Sequence, residues 1–284
     1  MRTPHVRTAA PCPPLSAVPS TLRIPLAARA FGDALFPQVA VGDAHARAWL
    51  AAIGDDGARW LADRPSIYGV LARTRVLRQW ALAYLAQHPA GQIVNLGCGL
   101  SHYFQWLDNG HCRLLEADLQ EVVDIRRQLR VPQGPRQRLA VVDIGQPGWW
   151  DRLGLPPGRG AEALFLMCEG VLMYLQPAQV EAVLAEFGER APPGSVFAFD
   201  ALCALTVGNA RLHPSIRHTG AEFAWGPASL AELTAPHGRL RLQASDPVMD
   251  GFAPLFAMAG LSFQFFTGVP FYALYALRVA DGAR

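Results

Sequence analysis

Lysine is missing from this sequence: all 25 basic residues among its 284 are arginines. Its absence excludes chemistries that need a lysine amine, among them Schiff bases, pyridoxal phosphate attachment and Walker-type phosphate binding. Charge of either sign is scarce, at 17% of residues, and the formal net charge is only +2. With no run of arginines to neutralise phosphates, a nucleic-acid partner is not expected. Cysteine is sparse too: Cys12, Cys98, Cys112, Cys168 and Cys203 lie far apart, in odd number and without a CxxC pair. That pattern excludes a disulfide framework or a zinc ribbon, leaves no expected metal site, and fits a reducing cytoplasm. Cys98 and Cys168 sit in apolar runs and read as small buried thiols.

Two further features bear on targeting. Residues 1–20 are rich in proline and lack the apolar stretch of a secretory signal, so they read as a flexible arm. Gly251 to Leu277 carries no charge and is long enough to span a bilayer. Pro254 and Pro270 interrupt it, however, and Phe271–Val279 is strand-like. A helix, a turn and a buried strand are expected there, and no membrane span.

What the chain has in abundance is apolar residues, 51%, enough to build a large core. From Thr21 to about Gln87 the pattern is helical, with Leu77, Trp80, Ala81 and Tyr84 on one face. From Gln92 it changes to short apolar runs: Gln92–Leu96, Arg113–Ala117, Arg138–Val142, Ala163–Cys168 and Ser195–Phe199. Helical patterns at Gln120–Leu129 and Pro177–Arg190 separate some of them, and Leu240–Ala244 and Phe271–Val279 supply two later strands. Alternating helices and near-continuous apolar strands predict an α/β fold with a parallel sheet covered on both faces. The expected division is a helical lid over 21–88 and an α/β core over 89–284.

In such sheets ligands bind beyond the carboxyl ends of the strands, so the residues following each strand carry the functional reading. After the first comes Asn95-Leu96-Gly97-Cys98-Gly99-Leu100, a turn whose glycines let backbone approach a ligand. His102 stands where a dinucleotide fingerprint would place its third glycine, which weakens a nicotinamide reading. Asp118 follows the second strand at the distance from Gly97 where an acid accepts from ribose hydroxyls. Asp143-Ile144 follows the third, a pair suited to an adenine edge and face, and Glu169-Gly170 follows the fourth. Three acids after successive strands, with no lysine for phosphate, describe a pocket for a sulfonium-bearing nucleoside.

These segments resemble the leucine carboxyl methyltransferase family. The resemblance rests on Ile93–Leu100, Glu116–Val122 and Cys168–Leu175, and extends to Thr21–Ala30, Ala72–Arg75 and Gly220–Gly226. It implies a class I S-adenosylmethionine (SAM)-dependent methyltransferase: a Rossmann-like seven-stranded sheet, last strand antiparallel, under an N-terminal helical lid. It implies that Arg73, or failing it Arg75, holds the SAM carboxylate, and that Gly97, Cys98 and Gly99 run beside the methionine portion. Asp118 with Leu119 would take the ribose, Asp143 with Ile144 the adenine, and Glu169 the methionine ammonium. Tyr174, near the sulfonium, and Arg75 are the catalytic candidates; Tyr103, Phe223 and Trp225 are the candidate walls of the substrate pocket. The sequence departs from the family where its glycine motif usually continues Asp-Thr-Arg: here stand Ser101, His102 and Tyr103.

The expected reaction is methylation of oxygen on a small carboxylic acid or phenolic natural product, the small molecule being the only partner expected. A carboxylate is ionised already, whereas a phenol profits from a base, with His102, His213, His218 and His237 as candidates. An alternative keeps SAM as sole substrate: if the altered 101–103 segment closes the acceptor site, its own amine attacks Cγ. That would release methylthioadenosine and form azetidine-2-carboxylate. An NAD-dependent oxidoreductase and a non-catalytic SAM-binding protein are the readings from other classes.

Overall fold

The computed structural model describes residues 19–158 and 160–281, so most of the expected N-terminal arm lies outside the described residues. Three helices come first: α1 (Arg23–Leu35), α2 (Ala46–Ala52) and α3 (Arg64–Gln87). Asp63 starts α3 by local chemistry, its carboxylate accepting from the Ser66 backbone N–H at 3.3 Å and the Ser66 hydroxyl at 2.6 Å. Pro65 occupies the first turn, where its missing donor costs nothing. Leu77, Ala81 and Tyr84 are buried as their spacing predicts, while Trp80 is half-buried.

Seven strands follow: β1 (Gln92–Leu96), β2 (Arg113–Asp118), β3 (Gln137–Val141), β4 (Phe165–Cys168), β5 (Val196–Leu202), β6 (Leu240–Pro247) and β7 (Tyr272–Val279). They form one sheet in the order β3-β2-β1-β4-β5-β7-β6. Strands β1 to β5 pair in parallel, and β7 runs antiparallel to both of its neighbours. The connection after β1 runs toward β2 and the one after β4 runs toward β5, so the two diverge and open a crevice at the carboxyl ends of these adjacent strands. The later helices are α4 (Phe104–Leu107), α5 (Gln120–Gln128), α6 (Trp149–Arg152), α7 (Pro177–Arg190) and α8 (Pro254–Thr267).

Side-chain alternation explains why the strands are almost wholly apolar. On β5, Phe197 and Phe199 enter one core with Trp149, Trp150 and Phe187, while Val196 and Ala198 enter the opposite core with Leu71 and Phe165. Each side chain of a strand meets a covered face, so both parities must be hydrophobic. A third cluster joins Ile24, Leu26 and Leu50 of the N-terminal helices to Ile125, Met173 and Phe223, tying the helical segment to the site end of the sheet.

The uncharged tract near the C-terminus forms the expected helix, turn and strand. Among the described residues, no helix is long and apolar enough to cross a membrane. Helix α8 nevertheless buries none of its residues: Leu255, Met258, Leu261, Phe265 and Phe266 are all exposed.

Candidate active site

The turn after β1 needs its two glycines. Gly97 and Gly99 have φ of +64° and +51°, in the left-handed region that L side chains avoid. A Cβ on Gly97 would collide with Val171 Cγ2, and one on Gly99 would lie 2.9 Å from Leu22 Cδ2. At the end of β2, Asp118 clamps this turn: one carboxylate oxygen accepts from Gly99 N and the other from Leu119 N, each at 2.7 Å. Burial pushes the Asp118 carboxyl up to about 6 even with those two donors. Beneath the turn, Arg126 donates to the carbonyls of Gly99 and Ser101, both at 2.7 Å. Its guanidinium lies 2.6 Å from Glu116, and both side chains are fully buried.

A second cluster forms where β4 ends. Glu169 accepts from Arg73 Nε at 2.9 Å, Thr74 Oγ1 at 2.9 Å and the Tyr103 hydroxyl at 2.6 Å. Arg73 also donates to Asp200 at 3.1 Å and to the Tyr272 hydroxyl at 2.9 Å, and Tyr272 donates in turn to Asp200 at 2.8 Å. Burial alone would raise the Glu169 pKa, but Arg73, Arg29 and Tyr103 outweigh it and hold the carboxyl below its usual value. Glu169 is therefore a fixed anion.

Both clusters open onto one cavity of about 940 Å³, which Arg73, Gly97, Cys98, Gly99, Asp118, Leu119, Asp143, Ile144, Glu169, Tyr174 and Phe223 all line. Asp143 accepts from Gly145 N at 2.9 Å. The rings of Tyr174 and Phe223 stack at 5.8 Å, and His213 meets Phe223 edge-on at 6.0 Å. Burial pushes the Cys98 thiol up, so it lines the cavity as a neutral group.

Three expected positions lie elsewhere. Arg75 is one helical residue pair beyond Arg73, and its guanidinium donates outward to the Gln38 carbonyl at 2.5 Å, away from the cavity. Tyr103 is wholly buried behind Glu169 and is no wall of the cavity. Trp225 packs in the core against Phe199 at 6.4 Å. Among the histidines considered as bases only His213 lines the cavity; His102 is buried beside His45 and Trp49, with centroids 5.2 and 6.2 Å away.

Sequence reasoning missed Asp200, Tyr272, Thr74 and Arg126. Arg126 had a usable signal, since it falls three and four residues after Val123 and Val122 on the buried face of α5. Asp200 and Tyr272 had none, because they meet only through the antiparallel pairing of β5 with β7.

This sheet order and a site built at the ends of β1, β2 and β4 define the Rossmann-like class I SAM-dependent methyltransferase fold. The chain belongs to the leucine carboxyl methyltransferase family, which residues 19–188 match, and is a SAM-dependent methyltransferase by that membership. It is 30% identical over 237 residues to the tetracenomycin polyketide synthesis O-methyltransferase TcmP of Streptomyces glaucescens, covering 83% of this chain and 85% of that one. A chain from Thermobifida fusca assigned as a methyltransferase shares the fold at a TM-score of 0.56 and 17% identity, with 83% of this chain and 94% of that one covered. A DUF574 family protein from Streptomyces avermitilis does so at 0.54 and 14%, covering 82% and 96%.

Proposed function

We propose that this protein moves the methyl group of SAM to an oxygen of a small carboxylic acid or phenolic natural product. The observation that carries the reading is the convergence of Arg73, Asp118, Asp143 and Glu169 on one cavity. The residues fit the nucleoside: two glycines leave a cradle that Cβ atoms would fill, and a buried carboxylate stands beside it. Arg73 meets the SAM carboxylate, since a guanidinium matches that group's geometry. Glu169 takes the ammonium, Asp118 beside Leu119 accepts from the ribose hydroxyls, and Asp143 with Ile144 meets the adenine. Gly97, Cys98 and Gly99 run beside the methionine chain.

Bound SAM supplies an electrophilic methyl carbon on a sulfonium. The protein's part is alignment for in-line displacement, to which proximity contributes most of the rate. Tyr174, stacked on Phe223, offers an aromatic face to the cation. The helical segment over 21–88 acts as a lid, because Leu22 just before α1, Ile24 and Pro25 in its first turn, and Gly69 and Val70 of α3 line the cavity. The reducing cytoplasm remains part of this reading, with Cys98, Cys112, Cys168 and Cys203 all free and buried.

Cyclisation of SAM on itself requires the acceptor space to be closed. The cavity instead extends past the nucleoside end between Leu205, Leu212, Phe256 and Phe271, which favours an external acceptor. Incubation with SAM alone, followed by product chromatography, tests the choice. S-adenosylhomocysteine that appears only when an acceptor is added supports methyl transfer; methylthioadenosine formed from SAM alone overturns it.

A further inference from the structure

We infer that the protein pairs in solution as a two-fold symmetric dimer through α8, the helix of one copy packing against that of a second copy and backing the wall of the acceptor half of the cavity.

The first argument is where the exposed apolar side chains lie. Among the described residues, every exposed large apolar side chain except Leu82 and Val141 falls within 205–212 or 255–271. These two segments flank the acceptor half of the cavity, and a hydrogen bond from Cys203 N to the Phe271 carbonyl, 2.9 Å long, joins their ends. Helix α8 is apolar on every side. It turns Phe256 and Phe263 to the cavity, while Leu255, Met258, Leu261, Phe265 and Phe266 form an outward stripe, 67% exposed at Leu261 and 84% at Phe265. A helix without a charged face is stable in water when it is covered all round, and the rest of the chain covers one side only.

Area and charge select the occupant. Taking ~200 Å² for a fully exposed phenylalanine and somewhat less for leucine or methionine, the two segments present on the order of 1,000 Å² of apolar surface. The largest patch of an ordinary monomer is ~300–600 Å², and each side of a standard-size interface contributes ~800 Å². Gly251 to Leu277 carries no charge, so the face does not repel a copy of itself and gives an acidic or basic partner nothing to pair with. Helices that lie on lipid set basic residues opposite their apolar stripe, and α8 has none. The stripe is also self-complementary. Leu255 and Met258 stand near its start and Phe265 and Phe266 near its end. A two-fold axis between antiparallel copies therefore lays the phenylalanines of each helix on the leucine and methionine of the other.

Pairing bears on the site because α8 supplies a wall of the acceptor half yet buries none of its own residues. With the second copy behind it, that wall is held from both sides.

The test is the oligomeric state of the whole chain. Sedimentation velocity at micromolar concentrations should show a dimer, and a monomer throughout overturns the inference. Substituting Phe265→Glu together with Phe266→Glu should weaken the dimer by about 100-fold or more. Both positions are exposed and neither lines the cavity, so calorimetry should find the affinity for S-adenosylhomocysteine unchanged. Leu255→Glu with Met258→Glu, at the other end of the stripe, should have the same two effects, since each end meets the opposite end of the second copy. A dimer that survives either pair of substitutions uses another surface and overturns the inference. Amide hydrogen exchange over 254–267 should be slower in the unsubstituted chain than in the variants, and equal exchange there removes α8 from the interface.

Discussion

The hydroxyl of Tyr103 donates to Glu169 at 2.6 Å, from a position where the family's glycine motif usually continues with arginine. A neutral donor meets the carboxylate from that position, and among the described residues Arg73 is the one arginine in direct contact with Glu169. Arg73, Arg29 and Tyr103 together keep the carboxylate ionised, as the proposed contact with a methionine ammonium requires. Tyr103→Phe keeps the buried ring and removes only the donor. The bond is made without ligand and is buried, so losing this hydrogen bond to a charged group should lower stability by about 1.5 kcal/mol or more. Thermal or urea unfolding reads this directly, and an unchanged stability would show that the donor does not hold the carboxylate.

Asp118 makes the strongest claim on the nucleoside. Asp118→Ala should weaken SAM binding by about 30-fold or more, the loss of two hydrogen bonds to one carboxylate. The same group sets a pH dependence. Its folded-state pKa is raised from 3.8 to about 6 by burial, so acceptance from ribose hydroxyls requires pH above that value. The dissociation constant should rise as pH falls below 6 and be level above 7. A constant affinity between pH 5 and 8 would remove Asp118 from the ribose.

His102 predicts a stability change of a different kind. Burial first, then His45 and Arg126, lower its pKa from 6.5 to about 4, and its Nδ1 has no hydrogen-bond partner among the described residues. The folded state thus resists a proton that the unfolded chain accepts. The neutral ring's contribution is whole above pH 6.5 and is lost as pH falls toward 4. Urea denaturation should show about 2 kcal/mol less stability at pH 5 than at pH 7 from this residue. His102→Gln should flatten that part of the profile.

Arg73 and Arg75 separate a site residue from its neighbour. Arg73→Ala strands Glu169 and Asp200 as buried charges and should cost about 3–5 kcal/mol in denaturant titrations, besides abolishing SAM binding. Arg75→Ala removes an outward hydrogen bond to Gln38 and should change stability by about 0.5 kcal/mol at most, with SAM affinity intact.

Much of the molecule was legible in one dimension. The ends of β1 and α7 fall where periodicity and punctuation put them, because Gly97 and Pro177 act on their own backbone. Strands β5 and β6 run three residues past their expected ends, since pairing with β7, not local preference, decides how far they extend. The helix expected after Gly251 formed, and α8 lies with Leu255, Met258, Leu261, Phe265 and Phe266 exposed.

The sequence by itself determined the layered α/β fold, the glycine turn and the three acids past successive strands, because these depend on short-range backbone chemistry and side-chain period. Only the tertiary structure decided which groups work together. Arg73 joins Glu169 across 96 residues and Asp200 across 127, and Asp63 finds Ser215 across 152. It also turned Tyr103 and Trp225 into core and Arg75 outward. A buried charge is tolerable only beside its partner, and which partner arrives is settled by how helices and strands pack, a matter that spacing along a chain does not encode.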